Sequence, residues 1–109
     1  MRFVKAKIEW NVLRKRIPPV LKQKDRQRYN AYTPLIVFDN QYDRPIFEGK
    51  VSHVPLWSAV IFNEEIIENV SLSLVSYLVD EAPYEFLKLG AKFKLYEGAN
   101  FVAQGEIIE

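Results

Sequence analysis

The sequence predicts a small all-β domain, a sandwich or a barrel, and three observations carry that reading. Apolar and polar residues alternate with a period of two in several short stretches, the mark of half-buried strands. Turn-forming residues separate these stretches at short intervals. No stretch carries the sustained apolar stripe of an amphipathic helix. About six or seven short strands in one domain is the pattern of sandwiches and barrels.

Phe3–Leu13 opens the chain as a strand, with Val4, Ala6, Ile8 and Trp10 on one face and Phe3, Lys5, Lys7 and Glu9 on the other. Residues 14–32 read as a long connection, rich in charge and interrupted by Pro18-Pro19, which cannot donate to a ladder or continue a helix. A short helical turn fits within Leu21–Arg28. Leu35–Phe38 is β-branched and aromatic, and Asp39-Asn40 follows it as a turn. Ile46–Val54 admits a short strand bent at Gly49. Trp57–Phe62 is the next strand, and Asn63-Glu64-Glu65 is expected to end it.

Asn69–Leu78 gives the clearest alternation: Val70, Leu72, Leu74, Ser76 and Leu78 against Ser71, Ser73, Val75 and Tyr77. Asp80–Gly90 reads as a loop around Ala82-Pro83. Lys92–Glu97 is a strand with Phe93 and Leu95 inward. Gly98-Ala99-Asn100 is expected to form a three-residue hairpin connection, because these residue types tolerate positive φ. Phe101–Ile108 closes the series, with Gly105 marking a bulge or a close approach. Trp57, Phe62, Phe93 and Phe101 are expected in the core.

The 109 residues match one domain, and 49% hydrophobic content is enough for one packed core, which excludes a wholly disordered chain. With no cysteine there is no disulfide framework, thiol nucleophile or thiolate metal site. A single histidine, His53, excludes a site built on two His ligands of one chain. No stretch approaches a signal-peptide core or the roughly 18 apolar residues of a membrane span, so the expected location is the cytoplasm.

The formal net charge of +1 hides an asymmetry. Residues 1–28 hold ten bases against two acids, a local charge of +8, and residues 29–109 hold five bases against twelve acids, or −7. Arg14, Lys15, Arg16, Lys22, Lys24, Arg26 and Arg28 fall within fifteen residues that contain one acid, Asp25. Such a block is a candidate contact for an anionic partner, and its plainer reading is a solvated loop. Tyr29 and Tyr32 follow it directly. Exposed aromatics beside bases combine phosphate contact with base stacking, whereas a packed Tyr32 would anchor the strand that follows.

The stretch Leu89-Gly90-Ala91-Lys92-Phe93-Lys94-Leu95-Tyr96-Glu97-Gly98-Ala99-Asn100-Phe101-Val102-Ala103-Gln104-Gly105-Glu106-Ile107-Ile108 resembles the last hairpin of the third domain of elongation factor Tu. That family's pattern is roughly G-x-x-F-x-[LI]-x-E-G-x-x-x-V-x-x-G-x-[IV], matched by Gly90, Phe93, Leu95, Glu97, Gly98, Val102, Gly105 and Ile107. Tyr32-Thr33-Pro34-Leu35-Ile36-Val37-Phe38 is similar to the family's Y-R-P-Q-F-x-F strand, and Arg16-Ile17-Pro18-Pro19-Val20 looks like an altered G-G-R-x-T-P loop. The resemblance implies a closed six-stranded antiparallel β-barrel. In the full factor that barrel contributes to contacts with aminoacyl-tRNA and with protein partners. The chain departs from the pattern at Arg14-Lys15, which stand where the family has paired glycines, at Thr33 in place of arginine, and in a charged insertion at about residues 22–28. With glycines only at 49, 90, 98 and 105, no G-x-x-x-x-G-K-[ST] phosphate loop is present, so no nucleotide is expected.

The remaining constellations are thin. His53 beside Ser52 lacks an evident orienting acid. Glu64, Glu65 and Glu68 cluster without a metal-loop spacing, with Asp39, Asp43 and Glu48 elsewhere, and Asp80-Glu81-Ala82-Pro83-Tyr84 reads as a structural loop. The expectation is a non-enzymatic binding module, with no cofactor and no metal. It would take a protein or RNA partner through Arg14, Lys15, Arg16, Lys22, Lys24, Arg26, Arg28, Tyr29 and Tyr32. The alternative is an immunity or antitoxin-type protein that masks a toxin surface. The oligomeric state is expected to be a monomer or a weak homodimer.

Overall fold

A computed structural model describes residues 2–11, 16–39 and 56–109. Among the described residues six strands form: β1 (Val4–Trp10), β2 (Leu35–Phe38), β3 (Trp57–Ile67), β4 (Val70–Tyr77), β5 (Lys92–Glu97) and β6 (Asn100–Ile107). They close into an antiparallel barrel in the order β1-β4-β3-β2-β5-β6, with β6 returning to β1. The all-β fold class and the six-stranded closed barrel are therefore as expected. The described part of the connection between β1 and β2 contains the 3₁₀ turns Gln23–Asp25 and Arg28–Asn30, and another lies at Tyr84–Phe86 before β5. Among the described residues no helix is long and apolar enough to cross a membrane.

Strand β1 behaves as its alternation demands: Val4, Ala6, Ile8 and Trp10 are buried, and the residues between them face out. In β2 and the first half of β3 the apolar runs are continuous, and Ile36, Val37, Phe38, Ala59, Val60, Ile61 and Phe62 are all buried. In β4 the side that turns inward is the serine side: Ser71, Ser73, Val75 and Tyr77 are buried, while Leu72 stands 40% exposed on the outer face.

Two bulges explain where the sequence reading and the strands part. Asn63-Glu64-Glu65 does not end β3. Asn63 pairs with Ser73 and Glu65 pairs with Leu72, so Glu64 is the extra residue of a bulge and the strand runs on to Ile67. In β6, Ala103 pairs with Leu95 and Phe101 with Tyr96, which leaves Val102 unpaired. Both Val102 and Ala103 then point inward, and Phe101 is turned outward. Phe101 is accordingly not a core residue: it is 39% exposed and its ring meets Tyr96 edge-on at 6.0 Å. Trp57 is partly buried against the core.

The β5–β6 connection is shorter than expected. Glu97 and Asn100 pair directly, so Gly98-Ala99 is a two-residue turn, with Gly98 at φ +60 supplying the conformation such turns need. The β3–β4 turn is also two residues, Glu68-Asn69, and Glu68 sits in the left-handed region at φ 56. Gly105 marks a close approach: a Cβ there would lie 2.4 Å from Cζ of Phe93 and 2.9 Å from the Lys7 carbonyl oxygen.

The two ends of the barrel are filled differently. One holds an aromatic cluster, with Phe38 against Phe93 (5.6 Å), Phe86 (5.7 Å) and Tyr77 (6.4 Å), covered by Ala82 and Leu87 of the β4–β5 connection. The other holds Trp10 and Tyr32 in ring contact at 5.6 Å, together with buried polar groups. The expected strand at Ile46–Val54 and the turn residue Asn40 lie outside the described residues.

Candidate functional site

The basic connection closes the Trp10 end of the barrel. A chain of hydrogen bonds begins in the core and ends on its backbone. Trp10 Nε1 donates to Ser71 Oγ (2.9 Å), Ser71 and Ser73 share a bond (2.8 Å), and Ser73 Oγ donates to Asn63 Oδ1 (2.6 Å). Asn63 Nδ2 then donates to the Pro18 carbonyl oxygen (2.7 Å). Each buried polar side chain in this chain is satisfied by the next, so its desolvation is offset. The serines face inward for this reason: on the outer face their hydroxyls would meet water, and Trp10 would lose its acceptor.

Further bonds fix the same segment. Leu21 N donates to the Asn63 carbonyl at 3.3 Å, and Val20 bridges Asn63 in parallel. Arg26 Nε donates to the Leu21 carbonyl at 2.9 Å, and its guanidinium meets Glu64 at 3.6 Å. Tyr32 and Ile61 exchange backbone bonds of 3.2 and 2.9 Å, and the Tyr32 hydroxyl donates to the Glu97 carboxylate. Pro18-Pro19 suits this route, because a proline has no N–H that would need a partner at the barrel rim.

The structure therefore divides the residues expected to bind a partner. Arg26 and Tyr32 are engaged within the fold. Arg16, Lys22 and Lys24 are exposed, and Tyr29 is 84% exposed. Arg28 lies in the second 3₁₀ turn. Arg14 and Lys15 lie outside the described residues. An open cleft of about 520 Å³ is lined by Arg16 of the exposed group together with Pro18, Pro19, Leu21, Tyr32 and Phe62. Phe62 and Leu21, which belong to this cleft, were not among the expected binding residues. Asn63 and Glu64 hold the connection in place instead of ending the strand. The one sequence signal for them was a polar residue inside an otherwise apolar strand.

Nothing in the described residues gathers three or more acidic or histidine side chains around a metal-sized space. Glu64 is committed to Arg26, Glu65 faces out from β3 and Glu68 occupies the turn, so the acidic cluster of the sequence is dispersed. In the Asp80–Tyr84 loop, Tyr84 packs edge-on against Tyr77 at 5.3 Å and its hydroxyl reaches the Tyr77 carbonyl. His53, Asp43 and Glu48 lie outside the described residues. No protein-family model, curated protein or solved structure matches the chain.

Proposed function

We propose that the protein is a non-enzymatic binding module that takes an acidic segment of a partner protein on its basic connection. The observation that carries this reading is the cleft: an apolar trough walled by Pro18, Pro19, Leu21 and Phe62, with the exposed cations Arg16, Lys22 and Lys24 on the same connection. Apolar anchoring beside charge is the usual composition of a protein-recognition surface. The hydrogen bonds from Asn63 and Arg26 support it further, since a connection already ordered before binding loses little entropy on contact. An immunity-type role, in which the bound surface belongs to a toxin, is one form of this reading. The likeness to the elongation factor Tu barrel is a proposal of the same standing, supported by the closed six-stranded architecture.

Affinity capture with the full chain, at low and high salt, tests the proposal. Capture of a protein that is lost with a Lys22→Glu/Lys24→Glu variant and with Leu21→Asp supports it. Capture of RNA instead, with the steep salt dependence that phosphate contacts produce, would replace the protein partner with a nucleic acid. A partner indifferent to both variants would remove the connection from the binding role.

A further inference from the structure

A second surface lies on the outside of β1, β4 and β3, adjoining the cleft at Phe62. The registers place its residues in rows across the three strands. Lys5, Leu74 and Phe62 form one row, Lys7, Leu72 and Glu65 the next, and Glu9, Val70 and Ile67 the third. The central strand presents Val70, Leu72 and Leu74, of which Leu72 is 40% exposed. The middle row reads base, leucine, acid. Neither Lys7 nor Glu65 forms an ion pair with a described residue.

We infer that this face binds a second copy of the same chain. Rotating a copy about a two-fold axis parallel to β4 lays the surface on itself. The axis passes between the two β4 strands, so β1 of one protomer lies over β3 of its partner. Leu72 then stacks on the partner's Leu72, and Lys7 stands over the partner's Glu65 on both sides of the axis. Face-to-face sheets sit roughly 10 Å apart, a gap that Leu fills and that Lys and Glu side chains span. An interface of this kind must be self-complementary, and a base–apolar–acid row centred on the axis meets that condition. The formal charge of +1 leaves little overall repulsion between copies. A dissimilar partner would need a matching acid–apolar–base row of its own, whereas the chain already carries one.

Sedimentation equilibrium of the full chain across the micromolar range tests this, with circular dichroism to verify the fold of each variant. The wild type is expected to dimerise, and Leu72→Lys to weaken the dimer about tenfold or more. Lys7→Glu and Glu65→Lys are each expected to weaken it as well, because each sets two like charges face to face. The decisive sample is a mixture of these two single variants. One carries glutamate at both positions and the other lysine at both, so they are expected to form a heterodimer that neither forms alone. A wild type that stays monomeric, a dimer indifferent to Leu72→Lys, or a mixture without heterodimer overturns the proposal.

Discussion

Asn63 Nδ2 lies 2.7 Å from the carbonyl oxygen of Pro18, and this bond joins the interior of the barrel to the connection that carries the basic residues. Asn63 also accepts from Ser73 at 2.6 Å, so removing its amide severs both links. Asn63→Ala is expected to lower stability by about 2 kcal/mol, since Ser73 and Pro18 each lose a buried partner. Urea unfolding measures that loss. Limited trypsin digestion of the same variant should cleave faster after Lys22 and Lys24. Unchanged cleavage would mean that the connection is held by other contacts.

Gly105→Ala is expected to destabilise by about 1–3 kcal/mol, because its methyl group would intrude on the Phe93 ring and the Lys7 carbonyl. Phe93→Leu removes the nearer obstacle. The double variant should therefore be less destabilised than the sum of the two single changes, a coupling that thermal or chemical unfolding resolves. Strict additivity would show that the backbone of Lys7, and not the ring, is the limiting contact.

The β3–β4 turn holds an ordinary side chain where glycine or asparagine is favoured. Glu68, at φ 56, bears the strain of the left-handed region, roughly 1–2 kcal/mol for a residue with a Cβ. Glu68→Asn should therefore raise the unfolding midpoint. At Gly98, with φ +60 and open space around it, Gly98→Ala should lower stability by about 1 kcal/mol and Gly98→Asn by less. Equal losses from alanine and asparagine would contradict a backbone origin.

Burial raises the pKa of the Tyr96 phenol above its ordinary 10.0, and the Asp39 carboxylate adds to the rise. The folded chain thus favours the neutral phenol more than the unfolded chain does. The associated stability is fully present below the unfolded pKa and is lost as pH rises through the higher folded one. Stability should fall over that alkaline window, and Tyr96→Phe should flatten the fall. Ultraviolet titration should show a tyrosine that ionises late and that moves earlier in Asp39→Asn. A Tyr96→Phe curve superimposable on the wild type would refute the assignment.

The strands were legible in the sequence wherever one face alone is buried, because alternation then has a single reading; β1 and β5 are the examples. In β4 alternation marked the strand without telling which side faces in. Hydrophobicity favours Val70, Leu72 and Leu74, but the serines enter because a hydrogen-bond chain awaits them. The two bulges were illegible for a related reason. An extra residue flips every side chain beyond it, which is how Phe101 left the core and Glu64 came to face Arg26. At the candidate site, the run of bases was plain in the sequence. The division into exposed Lys22, Lys24 and Tyr29 and engaged Arg26 and Tyr32 depends on contacts with distant strands, which local composition does not encode.

The first strand and the last are partners, with Ala6 opposite Ile107 and Trp10 opposite Ala103. During synthesis, β1 therefore waits until β6 has been made before its second neighbour is present. Until then one flank of β1 stays unpaired. Pairings so distant along the chain close slowly, because the intervening loop entropy is lost before the contact is gained. The barrel thus closes only when the β5–β6 hairpin reaches back to β1, and the timing of that hairpin governs how long the edge of β1 stays open.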